Sequence, residues 1–402
     1  MVSSVWSSRF RLCSSLFAAL AILAMFLGSF WWPGSSSAWA SFIRIALLLS
    51  LLASLGLFNR RSFSLNPLII ATAVLLGYMF LNSFFSGDNF QSTRRLVLIC
   101  LFIAAVSAIK PQSVLNWTRI MQIGVCLATG FALFSMVNLM THGAFKFGYR
   151  EMKLATSGLV NVADFGNTIV AGMHYAFFLI AGAWLMLTAE KRRESLFWLL
   201  CCAVLAVYIY FTFARSAWMG CAAGCLLLVC VMTQGKVRRS LLIAIAVGIV
   251  AIAILGFREL MFEVNVRGVT GRNEVWSMIF SRLTDHWWFG RGAGTALGQV
   301  RLHTGQIVGN THSLYLEVLY QLGIVGLALL VITMAFAAVS LSRALARSKE
   351  AGLWIAMLAG IAVVMVVELH TFIGTPGLVW MWLWLPLAGA IAVSREVAQR
   401  EG

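Results

Sequence analysis

Apolar runs of roughly 17–25 residues recur along the chain between short polar intervals, and each is long enough at 1.5 Å per residue to cross a bilayer core. They lie near residues 15–32, 37–57, 65–85, 96–109, 120–141, 165–189, 196–214, 217–233, 241–257, 322–341, 352–369 and 377–394. The pattern predicts an all-α polytopic membrane protein with about twelve transmembrane helices. Residues 1–402 read as a single transmembrane domain, with a first outer loop at 142–165 and a long outer loop at 258–311. Neither an internal repeat nor a soluble domain of ordinary size stands out. The first apolar segment lacks an evident small-residue cleavage site, so it is read as a retained helix.

Composition agrees with the pattern. The chain is 61% hydrophobic and 11% charged, where a soluble protein carries about a quarter charged residues. All eight cysteines fall inside the expected spans, where cysteine behaves as a small apolar side chain. Neither a disulfide framework nor a cysteine metal cluster is expected.

The formal charge of +16 is unevenly placed. Short loops holding Arg60, Arg61, Lys110, Lys191, Arg192, Arg193, Lys236, Arg238 and Arg239 become cytoplasmic if the N-terminus is inside, as the excess of Lys and Arg on that side requires. An even number of spans then returns the C-terminus to the cytoplasm. The remaining basic residues, among them Arg94, Arg95, Lys146, Arg150, Lys153, Arg215, Arg267, Arg272 and Arg291, come to the outer side. Positive charge there opposes the orientation rule, and an anionic ligand explains it economically. The plainer explanation is contact with lipid headgroups.

Three features of the outer side carry candidate chemistry. Arg215 stands between two spans with almost no loop, and its planar fork of donors matches phosphate oxygens. An interhelical salt bridge or a headgroup contact would also account for it. Lys146, Arg150 and Lys153 are spaced to share a helical face. In the long loop, Trp276, Ile279, Phe280 and Leu283 recur at helical spacing after Arg272, which predicts an amphipathic helix against the membrane surface. Gly290, Gly292, Gly294 and Gly298 follow as a flexible turn region. A phosphate cradle would need a strand, loop and helix with a lysine, so a plain loop is the simpler reading.

His312 precedes a helical run through Tyr315, Leu316, Leu319, Gly323 and Gly326. Its imidazole therefore sits at the mouth of a span, where it can take a proton from a hydroxyl. A histidine beside a span can equally cap the helix or mark the interface. Outer acidic residues are few: Asp88, Glu151, Asp164, Glu259, Glu263, Glu274, Asp285 and Glu317, with Glu368 at a span end. No Asp-x-Asp pair occurs among them, so no metal ion and no other cofactor is expected.

Arg215-Ser216, Ser157-Gly158-Leu159-Val160-Asn161, Gly271-Arg272-Asn273-Glu274-Val275-Trp276, Asp285-His286-Trp287-Trp288-Phe289-Gly290-Arg291-Gly292 and His312-Ser313-Leu314-Tyr315-Leu316 span roughly residues 150–330. Taken in chain order, these stretches resemble the bacterial O-antigen ligase and polymerase superfamily. Ser313 stands where Asn usually follows the histidine, and Trp287-Trp288 where a proline-containing stretch is frequent. A spacing of arginine to glycine associated with some polymerases is missing, which favours a ligase.

The resemblance implies a glycosyltransferase of GT-C-like type in the inner membrane, multi-pass, with its active site facing the periplasm. The donor would be an undecaprenyl-diphosphate-linked O-antigen, the acceptor lipid A-core, and the surrounding partners membrane lipids; no nucleic acid is expected. His312, Arg272 and Arg215 would be catalytic. Arg215 and Arg272, with Arg150, Lys146, Arg94, Arg95, Arg291 and Trp276, would bind diphosphate or glycan. A polymerase, a protein oligosaccharyltransferase and, from another class, a lipid or glycan transporter are the alternatives. A transporter would be expected to carry paired half-repeats and polar residues near the bilayer midplane.

Overall fold

The computed structural model describes residues 2–55, 66–87, 89–109, 113–146, 150–255, 257–262, 265, 272–301, 303, 305 and 307–401. Arg60, Arg61, Asp88, Lys110, Glu263, Arg267 and Gly271, which entered the charge and motif arguments, lie outside the described residues. About 75% of the chain is helical. In chain order the helices are α1 (Val2–Phe30), α2 (Ser36–Leu55), α3 (Pro67–Ser83), α4 (Asn89–Val106), α5 (Trp117–Thr141), α6 (Thr168–Thr188) and α7 (Arg192–Thr212). They continue with α8 (Arg215–Met232), α9 (Gly235–Leu255), α10 (Phe257–Phe262), α11 (Arg272–Arg282), α12 (Leu314–Ala344), α13 (Lys349–Val367) and α14 (Leu385–Glu401).

The expected spans fall one for one on α1–α9 and α12–α14. Among the described residues, nine helices are long and apolar enough to cross a membrane. Of the other three, α3 is a shorter apolar helix of 17 residues, α9 runs for 21 residues, and α14 is preceded by a π-helical turn at Trp380–Trp384. Asparagine side chains start several helices by accepting an otherwise unpaired N–H: Asn66 from Ile69 at 2.9 Å, Asn116 from Arg119 at 3.0 Å and Asn167 from Ile169 at 2.7 Å. Helices α10 and α11 and a hairpin pairing Val300–Arg301 with Ile307–Val308 occupy the long loop.

Small residues bring α8 and α13 together. A Cβ on Gly220 would meet the Val364 side chain at 2.6 Å, and one on Gly224 the carbonyl of Ala356 at 3.1 Å. Since the contacts descend α13 as they ascend α8, the two helices are antiparallel. Arg215 begins α8 five residues before Gly220, and Glu368 follows α13 four residues after Val364. At 1.5 Å per residue they stand about 7.5 and 6 Å beyond the shared contact, at the same end of the bundle.

The glycine run has a structural task that its composition hides. Helix α12 breaks at Gly323, whose φ is 67° and ψ is −169°, and a break within a span must have its main-chain groups paired by protein. The run supplies the partners. Arg291 N donates to the Tyr320 carbonyl and Gly292 N to that of Gln321, both at 3.0 Å, while Ile324 N donates to the Trp287 carbonyl at 2.8 Å. From α3, the Tyr78 hydroxyl donates to the Leu322 carbonyl at 2.7 Å, and Asn82 donates to that of Phe289 at 2.7 Å. Such closeness leaves no room for side chains: a Cβ on Gly290 would lie 2.4 Å from the Gln321 carbonyl. Residues 287–294 are thus a fitted insert rather than the flexible turn the glycines suggest.

Helix α11 also differs from expectation. Its apolar face, Val275, Ile279 and the following Leu283, is buried with Leu319 and Tyr320 of α12. It therefore packs on protein, while Phe280 stays 42% exposed.

Replacing Gly323 by Ala should destabilise the protein by at least about 1–3 kcal/mol from its backbone region alone, besides the clash of the new Cβ with the Trp288 carbonyl at 2.3 Å. Gly130→Ala, where a Cβ meets nothing within 4 Å, is the control. Thermal unfolding in detergent checks the pair: equal midpoints would mean that the break does not depend on the glycine.

Candidate active site

The end of α13 and the start of α12 form one joint. Ser313 caps α12, accepting from Leu316 N at 3.4 Å, and its own hydroxyl donates to the Met365 carbonyl of α13 at 3.1 Å. Leu314 N donates to the Glu368 carbonyl at 3.3 Å, and the Tyr315 hydroxyl to that of Ala362 at 3.2 Å. His312, immediately before the cap, has φ of 49°; Leu369 and Thr371 on the facing loop have 69° and 66°. Non-glycine residues persist in this conformation only where the surroundings hold them.

Around that joint the charged groups converge. Arg272, the first residue of α11, places Nη2 at 3.3 Å from Oε2 of Glu368. His312 places Nδ1 at 3.6 Å from Oε1 of the same carboxylate. Glu368 is buried, with 7% of its side chain exposed, against 18% for Arg272 and 32% for His312. One carboxylate therefore faces both a guanidinium and an imidazole. His312 Nδ1 is itself buried and has no hydrogen-bond partner.

His370, two residues beyond Glu368, belongs to the same group. Desolvation by the surrounding protein lowers its pKa from the ordinary 6.5. The Glu368 carboxylate pulls the other way, and the nearness of His312 adds to the lowering.

The remaining expected site residues fall into three sets. Trp276 supports the joint directly, since its indole N–H donates to the Thr311 carbonyl at 3.1 Å, next to His312. Arg215 reaches the same end of the bundle through the α8–α13 contact. It follows a tight turn at Phe213, which has φ of 51°, and Arg150 lies over the Phe213 ring at 5.3 Å. Lys146, adjoining Phe145, belongs to the same corner, because the Phe145 ring packs on Phe211 at 5.0 Å. The loop is held there by Leu154 N donating to the Phe211 carbonyl at 2.9 Å.

The third set is engaged elsewhere. Arg291 donates through Nε and Nη2 to the Arg282 carbonyl at 3.1 and 2.7 Å, closing the end of α11 onto the glycine insert. Arg95 donates to Gln91 at 3.1 Å within α4, and Arg94 is exposed on the same helix. Among the described residues no group of three or more His, Cys, Asp or Glu is gathered as metal ligands would be.

Sequence reasoning left Glu368 as an acid at a span end and gave His370 no role. The usable signal was physical: an acidic side chain buried at the mouth of a span is costly without a cationic partner.

Trp276→Phe should keep the ring packing of α11 and lose the bond to Thr311, a net contribution of about 1 kcal/mol. A lower unfolding midpoint with α-helical content unchanged by circular dichroism is the expected outcome; an unchanged midpoint would make that bond dispensable.

Residues 200–331, which include Arg215, Arg272 and His312, match the family model described as O-antigen ligase. The chain is also similar to an O-antigen ligase of Pseudomonas aeruginosa, at 25% identity over 409 aligned positions that cover 98% of this chain and 95% of the relative. The matched segment holds both arginines and the imidazole, and over those residues the chain is similar to O-antigen ligases.

Proposed function

We propose that this chain is an inner-membrane glycosyltransferase that moves an O-antigen polysaccharide from undecaprenyl diphosphate to a sugar hydroxyl of lipid A-core. The observation that carries this reading is the joint itself, where a guanidinium and an imidazole meet at one end of a helical bundle. The distribution of Lys and Arg assigns that end to the periplasm.

The chemistry follows from the side chains. His312 takes the proton of the acceptor hydroxyl as its oxygen attacks the anomeric carbon. The bond from that carbon to the diphosphate oxygen breaks, and its electron pair leaves with the diphosphate. Arg215 and Arg272 balance the growing charge, where fixed cations out of bulk water act most strongly. A single displacement of this kind inverts the anomeric centre. Arginine suits the task because its planar fork meets two phosphate oxygens at once. The carboxylate in the joint, Glu368, already faces Arg272 and His312, so the reaction is metal-independent in this reading and transfer is expected to continue in EDTA. Loss of activity on chelation, restored by magnesium or manganese, would contradict the arginine mechanism.

His312→Ala should lower transfer by at least about 100-fold with undecaprenyl diphosphate still bound. Arg215→Lys and Arg272→Lys should each lose much of the activity despite equal charge, while Arg192→Lys and Arg193→Lys should change little. One transfer assay with a lipid-linked donor, at equal membrane levels of each variant, makes the comparison. Full activity in His312→Ala, or in both outer lysine variants, would leave the reacting groups unassigned.

A further inference from the structure

The two oxygens of Glu368 face different partners, and each contact has its own consequence. Oε1 stands 3.6 Å from His312 Nδ1, a buried ring nitrogen with no hydrogen-bond partner. A carboxylate on one ring nitrogen fixes the proton there and leaves the other nitrogen to accept. Distances of this kind shorten when a substrate closes the site. Oε2 stands 3.3 Å from Arg272 Nη2, so the guanidinium is held by an internal anion.

The main chain of Glu368, which carries the carboxylate, is well fixed. Its own N–H donates to the Val364 carbonyl at 2.8 Å and its carbonyl accepts from Leu314 N at 3.3 Å, so the main chain of Glu368 bridges α13 and α12. A side chain placed by two helices can hold its partners in register more firmly than one placed by a loop.

We propose that Glu368 is the positioning residue of this site, orienting His312 through Nδ1 and holding Arg272 until the donor diphosphate displaces it. This rests on the reading of Arg272 and His312 given above. In the structure the carboxylate is shared between Arg272 and His312. When diphosphate oxygens take over Arg272, Glu368 is left to the histidines, with the ring proton of His312 on Nδ1 and its Nε2 turned to the acceptor hydroxyl. Proton transfer to Nε2 then gives an imidazolium whose Nδ1–H still faces the carboxylate, so charge forms next to its counter-ion. Base and donor site are thereby coupled through one side chain.

The two contacts predict opposite effects of one substitution. Glu368→Gln should lower kcat at saturating donor by about 10- to 100-fold, the scale for losing a partner that orients a reacting group. Binding of undecaprenyl diphosphate should be unchanged or tighter, because its competitor for Arg272 has lost its charge. Damage to the fold would weaken both. An unchanged kcat, or weaker donor binding together with lower kcat, would overturn the proposal. A second measurement needs neither activity nor a variant. Ring 15N shifts of His312 in histidine-labelled protein, assigned against His312→Gln, should report the proton on Nδ1, and the Nε2–H tautomer would overturn the proposal. If the wild type fails to transfer glycan, or if Arg272→Lys leaves undecaprenyl diphosphate binding unchanged, the functional reading fails while the tautomer still decides the role of Glu368.

Discussion

A bilayer offers no water to main-chain groups that leave a helix, and this constraint shapes the site more than any single side chain does. Helix α12 breaks at Gly323, and the exposed groups on both sides of the break are taken up by residues 287–292 and by α3. The long loop is therefore fastened to α12 from its glycine insert, and the bonds of Arg291 to Arg282 carry that fastening to the end of α11. Arg272, at the other end of the same helix, is placed as a result. The main chain of residues 287–292 thus completes a helix of the bundle.

The second constraint is electrostatic. A buried carboxylate at the end of α13 is tolerable only with cationic or hydrogen-bonding partners, and Glu368 finds Arg272 and His312. The close glycine packing of α8 on α13 brings Arg215 to the same end. Four elements distant in sequence thus bring two arginines, an imidazole and a carboxylate to one end of the bundle. None of the four elements belongs to a soluble domain, which suits the lipid-anchored substrates proposed for this chain.

Much of this was legible in the sequence. The spans were, because apolar runs of membrane length are a direct signal, and helix α11 of the long loop followed from the spacing of Trp276 and Ile279. Residue type and sidedness permitted His312, Arg215 and Arg272 as site residues, and the family resemblance picked them out. Glu368 could not, since its partners lie 96 residues away at Arg272 and at His312 in the preceding loop, and composition carries no trace of that meeting. The glycine insert misled for the same reason: closeness of backbone to Gln321 and conformational freedom both favour glycine, and only the packing tells them apart. Arg291 shows the converse, an outer-side arginine that a charge argument assigns to an anion and the structure assigns to a carbonyl.

The proposed reaction moves a whole polysaccharide from its diphosphate carrier to lipid A-core. Lipopolysaccharide and carrier lipid from a strain lacking this chain test it most directly. The predicted result is core without O-antigen, with long chains retained on undecaprenyl diphosphate. Core bearing a single repeat unit, with no long chains on the carrier, would contradict it and point to a polymerase.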